Sequence, residues 1–218
     1  MSETSRDRIL ARIRRAQGRS ASAAQHELSA AETWINARQR GPLPLVAGDL
    51  LAHFRAQAEA MQSTLDEVAH MADVPSAAAH YLQSNGLSVS GCVWPALADH
   101  DWMGAGLALE ARAARDADAI GITGAFAAIA ETGTLMLLSG PATPASASLL
   151  PETHIAVVPV HRIVPRMEDA WALLRAECGM PPRAVNFISG PSRTADIEQT
   201  IVIGAHGPCR VHIILVRG

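Results

Sequence analysis

Aromatic residues are scarce in this 218-residue sequence. Phe, Trp and Tyr together make up only 4%, although 49% of the residues are hydrophobic. The core must therefore be built from Ala, Val, Ile and Leu, which are the usual material of a parallel sheet covered by helices on both faces. This composition argues against an aromatic-rich β-sandwich.

Cysteine is equally sparse. Cys92, Cys178 and Cys209 are far apart and form no C-x-x-C pair. Three scattered thiols cannot supply the four ligands that an iron–sulfur cluster generally needs, and they form no disulfide framework. We therefore expect a protein of a reducing compartment, with no redox cofactor of its own.

Long apolar runs are missing too. No stretch approaches eighteen uninterrupted apolar residues, and the N-terminus carries Glu3, Arg6, Asp7 and Arg8 in place of a signal-peptide core. These features predict a cytoplasmic protein without a membrane span.

Positive charge is not concentrated anywhere. The net charge is −3, from 18 basic and 21 acidic residues, and the strongest basic run is Arg12, Arg14 and Arg15. Binding to nucleic acid needs a clustered positive face. We therefore expect no nucleic-acid partner, and interpret the run as a solvated helix face.

The sequence predicts two domains, a helical N-terminal arm (1–42) and an α/β domain (43–218). Helical spacing of apolar residues indicates arm helices at 4–16 and 27–39. In the second domain, helix signals alternate with short apolar runs. Asp49 is a good N-cap, Pro75 opens a helix that Gly86 ends, and a clear apolar stripe follows Met167.

Strands are predicted at the apolar runs between these helices, and one further helix is expected at 124–131. The runs expected to be strands are 65–71, 87–89, 107–109, 134–138, 154–158, 185–188 and 211–216. Such alternation is typical of an α/β fold with a largely parallel sheet flanked by helices.

One polar turn, at 130–134, interrupts the apolar pattern between the expected helix and a buried strand. Glu131, Thr132 and Thr134 offer a carboxylate and two hydroxyls there, and Gly133 is free to adopt a positive φ. The turn suits a catalytic carboxylate, but a simple capping turn satisfied by Thr132 explains the pattern as well.

A second polar segment follows the strand expected at 185–188. It contains Gly190, Pro191, Ser192, Arg193, Thr194 and Asp196. Ligands of open α/β sheets bind outside the carboxyl ends of strands, and an Arg there binds a carboxylate or phosphate through two parallel hydrogen bonds. Alternatively, Arg193 pairs internally with Asp196 or Glu198.

A third turn, at 204–208, places His206 before Gly207, ahead of the last strand. A histidine between glycines approaches a ligand closely and titrates near neutral pH, although a turn histidine can equally be structural.

His154 and His161 have no third ligand beside them, so we expect no metal site. The G-x-G-x-x-G, Walker A and G-x-S-x-G patterns are absent.

Together these segments resemble the LUD-domain family, specifically its lactate-utilization branch. The resemblance is carried by GITGAFAAIAETGTLMLLSG at 121–140, SLLPETHIAVVP at 148–159 and ISGPSRTADIEQTIVIGAHGP at 188–208. It implies a fold like that of the glucosamine-phosphate isomerase, ribose-phosphate isomerase and CoA-transferase group. It also implies a subunit of a system that oxidises L-lactate to pyruvate with partner subunits carrying iron–sulfur motifs.

Three functions remain open at this point. In the first, the chain is a non-redox subunit that binds a small carboxylate such as lactate or pyruvate, with Arg193 as the clamp and Glu131 and His206 handling protons. In the second, it is an independent CoA-transferase-like or sugar-phosphate isomerase-like enzyme, since Ala130-Glu131-Thr132-Gly133 resembles the CoA-transferase glutamate turn. In the third, it is a regulatory partner docking through the arm. We expect the turns 130–134, 189–196 and 204–208 to converge on one anion-binding cleft.

Overall fold

The structure is a computed structural model that describes residues 4–18, 25–46, 48–194, 202–204 and 206–218. The chain divides into two compact units, Met1–Leu43 and Pro44–Gly218. Each unit is described by itself below.

The first unit contains two helices, α1 (Ser5–Ala16) and α2 (Gln25–Ala37). Thr4 caps α1 by accepting a hydrogen bond from the Asp7 amide, and the Asp7 carboxylate accepts one from the Thr4 amide in return. Neither helix buries a residue. Isolated helices of this length are only marginally stable in water.

The second unit contains three α-helices, four short 3-10 helices and twelve strands among its described residues. The α-helices are α3 (Leu50–Ala60), α4 (Val74–Ser84) and α5 (Met167–Cys178). The strands are β1 (Thr64–Val68), β2 (Ser90–Val93), β3 (Ala108–Ala111), β4 (Ile120–Gly124), β5 (Ala127–Ile129), β6 (Thr134–Leu138), β7 (Thr153–Pro159), β8 (Ile163–Val164), β9 (Val185–Ile188), β10 (Arg193–Thr194), β11 (Val202–Ile203) and β12 (Arg210–Val216).

Six strands form an entirely parallel sheet in the order β1-β12-β7-β4-β2-β3. One face packs against α4 through Val74, Ala78 and Leu82, and the other face shares a core with Phe54 and Ala58 of α3. The central strands are buried on both faces, which explains their continuous Ile and Val runs. The predicted α/β fold with a largely parallel sheet is confirmed.

A smaller sheet of four strands, in the order β8-β5-β6-β9, lies beside this core. Its β5 and β6 form an antiparallel hairpin, so the helix expected at 124–131 is wrong. The reason is burial on two sides. Ala127 and Ile129 face α5, whereas Ala128 and Ala130 face the α3 core, and all four are fully buried. This packing overrides the helix propensity of alanine.

The local signals at helix ends are confirmed. The Asp49 carboxylate accepts a hydrogen bond from the Leu51 amide at 2.9 Å, and Gly86 after α4 has φ +62°. One strand lies later than predicted, because Leu87 and Val89 pack against the α4 core as a connection and β2 begins at Ser90. Within the described part of the chain, no helix has the length and apolar character of a membrane span.

Candidate functional site

The turn of the β5–β6 hairpin holds the first predicted site residues. Gly133 has φ +63°, and a Cβ there would lie 2.3 Å from the Ala58 nitrogen. Only glycine therefore allows the turn to pack this closely against α3. Glu131 is half-buried and its amide donates to the Pro165 carbonyl at 3.0 Å. Its carboxylate makes no hydrogen bond or ion pair with any described residue.

Three hydroxyls connect this turn to the loop that follows β9. The oxygens of Thr132 and Thr134 are 2.7 Å apart, and those of Thr134 and Ser189 are 2.6 Å apart. Thr134 is only 3% exposed. Because its hydroxyl is occupied by these two neighbours, Thr134 fixes the geometry of the turn and does not face a ligand. Thr132, by contrast, is exposed.

The loop after β9 is seated on the C-terminal end of α3. Gly190 has φ +73°, and a Cβ there would lie 1.9 Å from the Met61 carbonyl oxygen. The same carbonyl accepts a hydrogen bond of 2.8 Å from Nη2 of Arg193. The carbonyl end of a helix carries partial negative charge, which favours a guanidinium at this position. Arg193 is exposed, and no described carboxylate forms an ion pair with it.

The loop before β12 lies directly against this segment. The Ser192 amide donates to the Pro208 carbonyl at 2.8 Å, and the Gly204 amide donates to the Ser192 carbonyl at 2.9 Å. A Cβ on Gly207 would come within 3.2 Å of the Ser192 Cβ. Glycine at 207 therefore permits close packing of the two loops.

The structure thus joins many of the predicted site residues through direct contacts but leaves others apart. We name the joined set the loop cluster; it comprises Gly133, Thr134, Ser189, Gly190, Ser192, Arg193, Gly204, Gly207 and Pro208. Thr132 is attached to it through the hydroxyl of Thr134. His206 is exposed, and no described contact links it or Glu131 to Arg193. Pro191 is half-buried in the loop, and Thr194 pairs with Val202 through the backbone. Asp196 lies outside the described residues.

The position of the loop cluster differs from the one expected from the sequence. β9 belongs to the smaller sheet, so the loop after it is not at the carboxyl edge of the parallel strands. The cluster lies instead at the amino edge, since Met61 precedes β1 and Pro208 precedes β12. The Cys209 amide, next along the chain, donates to the Glu152 carbonyl just before β7.

The carboxyl edge of the parallel sheet holds a feature that the sequence reasoning missed. A pocket of about 340 Å³ opens there, and its lining includes Trp94, Phe126 and Arg162. Each follows the end of a strand, namely β2, β4 and β7. The predicted elements gave no signal for it, because Phe126 fell in the helix expected at 124–131 and Trp94 lay five residues after the run expected at 87–89.

Two histidines lie within the parallel sheet. His154 is fully buried, with its Nε2 2.8 Å from the Thr123 hydroxyl and no hydrogen-bond partner for Nδ1 among the described residues. Burial lowers the pKa of His154 to about 4, so the ring is neutral at pH 7.

Burial likewise lowers the pKa of His212 to about 4, against the opposing effect of Asp66. His212 hydrogen-bonds Thr64 and stacks on Tyr81. Each ring thus connects two neighbouring strands of the parallel sheet, His154 linking β7 to β4 and His212 linking β12 to β1.

Potential metal ligands do not gather in the described ranges. These contain no group of three or more His, Cys, Asp or Glu side chains arranged to hold a metal ion. The cysteines are separated as well, with Cys92 buried, Cys178 exposed and Cys209 half-buried. Burial raises the pKa of the Cys92 thiol to about 11.

A model of the LUD domain matches residues 97–216, which is more than half of the chain and includes the loop cluster from Gly133 onward. The chain belongs to the LUD-domain family. Its match to that family begins within the connection between β2 and β3 and runs through the last strand.

Several LUD-domain relatives are proteins named lactate utilization protein C. Those of Bacillus licheniformis, Exiguobacterium sp. and Bacillus subtilis are 43%, 46% and 44% identical to this chain over 100 residues. The matched segment covers 44% of this chain and 42%, 44% and 42% of those proteins, respectively. The chain thus aligns with less than half the length of these relatives.

The crystal structure of a DUF162 family protein from Deinococcus radiodurans has a similar fold. The TM-score is 0.58, with 23% sequence identity over 79% of this chain and 99% of that one. The likeness concerns the fold alone and supports the α/β architecture described above.

Proposed function

We propose that this LUD-domain chain serves bacterial L-lactate utilization as a non-redox component that binds a small carboxylate, L-lactate or pyruvate. The observation that carries the proposal is the environment of the Arg193 guanidinium. Its guanidinium is exposed, anchored through one nitrogen to the Met61 carbonyl, and unpaired with any described carboxylate.

This arrangement suits a monocarboxylate. The anchor restricts the guanidinium, so fewer side-chain rotamers are lost when a ligand binds. The remaining N–H groups can donate to a carboxylate, and each such charge-assisted hydrogen bond contributes about 1.5–3 kcal/mol. Ser192 and Gly190 shape the loop that carries Arg193. Lactate has few atoms, and affinity therefore falls in the millimolar to micromolar range, about −4 to −8 kcal/mol.

Glu131 and His206 enter the proposal as proton carriers. Oxidising lactate to pyruvate releases two protons, one from the hydroxyl and one from the carbon that bears it, and both groups are accessible to accept them. For either to act, its turn must approach the carboxylate held by Arg193.

Oxidation of lactate also releases two electrons, which need an acceptor. The three separated cysteines of this chain are too few for a four-cysteine cluster. We therefore assign electron transfer to partner iron–sulfur proteins, with this chain supplying substrate binding in a cytoplasmic assembly.

Growth complementation tests the assignment. In the bacterium that encodes this chain, deletion of its gene should abolish growth on L-lactate and leave growth on pyruvate intact. The wild-type gene and Arg183→Ala, an exposed arginine away from the loop cluster, should restore growth, whereas Arg193→Ala should not. Unimpaired growth of the deletion strain on L-lactate would remove the lactate role altogether.

A second candidate is an independent CoA-transferase-like or sugar-phosphate isomerase-like enzyme. The half-buried carboxylate of Glu131 in a hairpin turn favours it, because a carboxylate that pairs with no described residue is available as a nucleophile or base. Incubation of the purified chain with acyl-CoA, followed by peptide mass spectrometry, should then show an adduct on Glu131 that is absent from Glu131→Gln. Inertness toward a broad panel of CoA esters and sugar phosphates excludes this candidate.

A further inference from the structure

The pocket at the carboxyl edge of the parallel sheet lies where the strand order reverses. From β2 the chain continues to β3 on one side and then returns to β4 on the other side of β2. Connections that leave neighbouring strands in opposite directions open a crevice between their carboxyl ends, and ligands of α/β sheets bind there. Trp94 follows β2 directly, and Gly124 ends β4.

The pocket has the size and character of a small-molecule site. Its volume of about 340 Å³ falls within the range of roughly 300–1,000 Å³ that such sites occupy. Most of the lining is apolar or aromatic, with two polar side chains. The lining residues are Trp94, Ala96, Leu97, Gly124, Ala125, Phe126, Leu138, Thr143 and Arg162.

The aromatic wall is held in place before any ligand arrives. The indole nitrogen of Trp94 donates to the Pro144 carbonyl at 3.0 Å, and the side chain is only 5% exposed. The guanidinium of Arg162 lies over the Phe126 ring, 5.5 Å from its centroid. Fixed aromatic surfaces favour flat ligands, because little side-chain freedom is lost on binding.

Arg162 forms an ion pair with Glu177 but keeps donor groups that can bind a ligand. Nη1 of Arg162 donates to both carboxylate oxygens of Glu177, at 2.8 and 2.9 Å. The other nitrogens of Arg162, Nε and Nη2, make no hydrogen bond with any described residue. One charge-assisted donor face therefore remains for an acidic group on the ligand, while the Thr143 hydroxyl provides the second polar side chain.

We propose that this pocket binds a planar aromatic or heteroaromatic ring that carries one acidic group. The ring packs against Trp94 and Phe126, and the acidic group accepts hydrogen bonds from Arg162. A three-carbon acid such as lactate would leave most of the pocket and its aromatic wall in contact with water. The site is separate from the loop cluster, at the opposite edge of the sheet, and does not rest on the proposed lactate role.

Mononucleotides and small aromatic acids share this chemistry, and calorimetry distinguishes them. The full chain is titrated with AMP, FMN, nicotinate and L-lactate. At least one ring-bearing acid should bind with a dissociation constant of about 1 mM or tighter. Tighter binding of AMP or FMN assigns a nucleotide, whereas tighter binding of nicotinate assigns a small aromatic acid.

A matched pair of variants locates the binding. Ala96 lines the pocket and Ala98 does not, although both are exposed and belong to the same short turn after β2. Ala96→Phe should weaken binding of the ring-bearing acid about tenfold or more, while Ala98→Phe should leave it unchanged. Arg162→Met should weaken it without changing the fold, because the side chain is 31% exposed; circular dichroism provides the check.

Three results would overturn the inference. These are failure of every ring-bearing acid to bind the wild-type chain, equal effects of Ala96→Phe and Ala98→Phe, and binding of L-lactate that Ala96→Phe removes. The effect of Arg193→Ala on lactate binding tests only the proposed function. The pocket proposal and the proposed function can therefore fail independently of each other.

Discussion

The hydroxyl of Thr134 lies 2.6 Å from that of Ser189, and this hydrogen bond ties the β5–β6 hairpin to the loop that carries Arg193. The two residues are 55 positions apart in the sequence. The tether matters because Thr134 is buried on β6, so a rigid element fixes the start of a surface loop.

A double-mutant cycle measures this tether. Thr134→Val and Ser189→Ala each remove one partner, and their coupling in urea denaturation should be about 0.5–1.5 kcal/mol. Thr134→Val should cost more than Ser189→Ala, because it removes both hydrogen bonds of the buried Thr134 hydroxyl, whereas Ser189→Ala leaves the bond to Thr132 in place. Additive single effects would show that the hydrogen bond does not hold the loop.

Gly190 should be essential to the seating of the same loop. Gly179 is a matched control, since it has φ +71° against +73°, but a Cβ added there would have no atom within 4 Å. Gly179→Ala should lose only the cost of a positive φ in a sparsely populated backbone region, about 1–3 kcal/mol. Gly190→Ala must in addition push the loop off the Met61 carbonyl, and it should weaken lactate binding, which Gly179→Ala leaves intact. Equal lactate affinities for the two variants would contradict the seating of Arg193.

Stability should fall in mild acid. The pKa of His154 is about 4 in the folded chain because of burial, against about 6.5 when unfolded. The unfolded chain therefore binds more protons between these values, and His154 alone lowers the free energy of unfolding by up to about 2 kcal/mol between pH 7 and pH 5.

Urea denaturation at the two pH values checks this effect. His154→Gln should reduce the pH dependence without abolishing it, because glutamine is neutral and can still bond to Thr123, while His212, whose pKa is also about 4, keeps its own contribution. The exposed His80→Gln serves as the control and should retain the wild-type slope. An unchanged slope in His154→Gln would show that this ring is not the source.

The N-terminal arm should be needed for association but not for folding of the α/β domain. Its helices bury no residue, and Trp34 and Ile35 are 70% and 63% exposed. Residues 44–218 alone should unfold in one cooperative transition and still bind lactate. An affinity-tagged full chain purified from its native host should carry iron-containing partners, and the truncated chain should not. Retention of iron by the truncated chain would place the docking surface elsewhere.

Local signals in the sequence predicted much of the fold. Asp49 and Gly86 mark helix ends through backbone chemistry that depends on few neighbours, and continuous apolar runs such as 134–138 identify strands buried on both faces. The failure at Ala127–Ile129 has the opposite cause. Alanine favours a helix locally, and only packing between α5 and the α3 core makes the segment a strand.

The turns that meet in the loop cluster were predictable from the sequence, but the edge of the sheet at which they meet was not. Glycine and hydroxyl patterns identified the turns that meet in the loop cluster. Sheet membership is a property of long-range pairing, and the pairing of β9 with β6 moved the Arg193 loop away from the carboxyl edge. The pocket lined by Trp94, Phe126 and Arg162 could not be predicted for the same reason, because these residues follow strands that are brought together only in the folded chain.

Calorimetric titration of L-lactate into the purified chain tests the central claim most directly. The wild-type chain and Arg183→Ala should bind lactate with the same affinity, Arg193→Lys should bind it more weakly because a lysine lacks the planar fork, and Arg193→Ala should show no binding. Lactate affinity that is unaffected by Arg193→Ala, or absent from the wild-type chain, would contradict a carboxylate site at this loop.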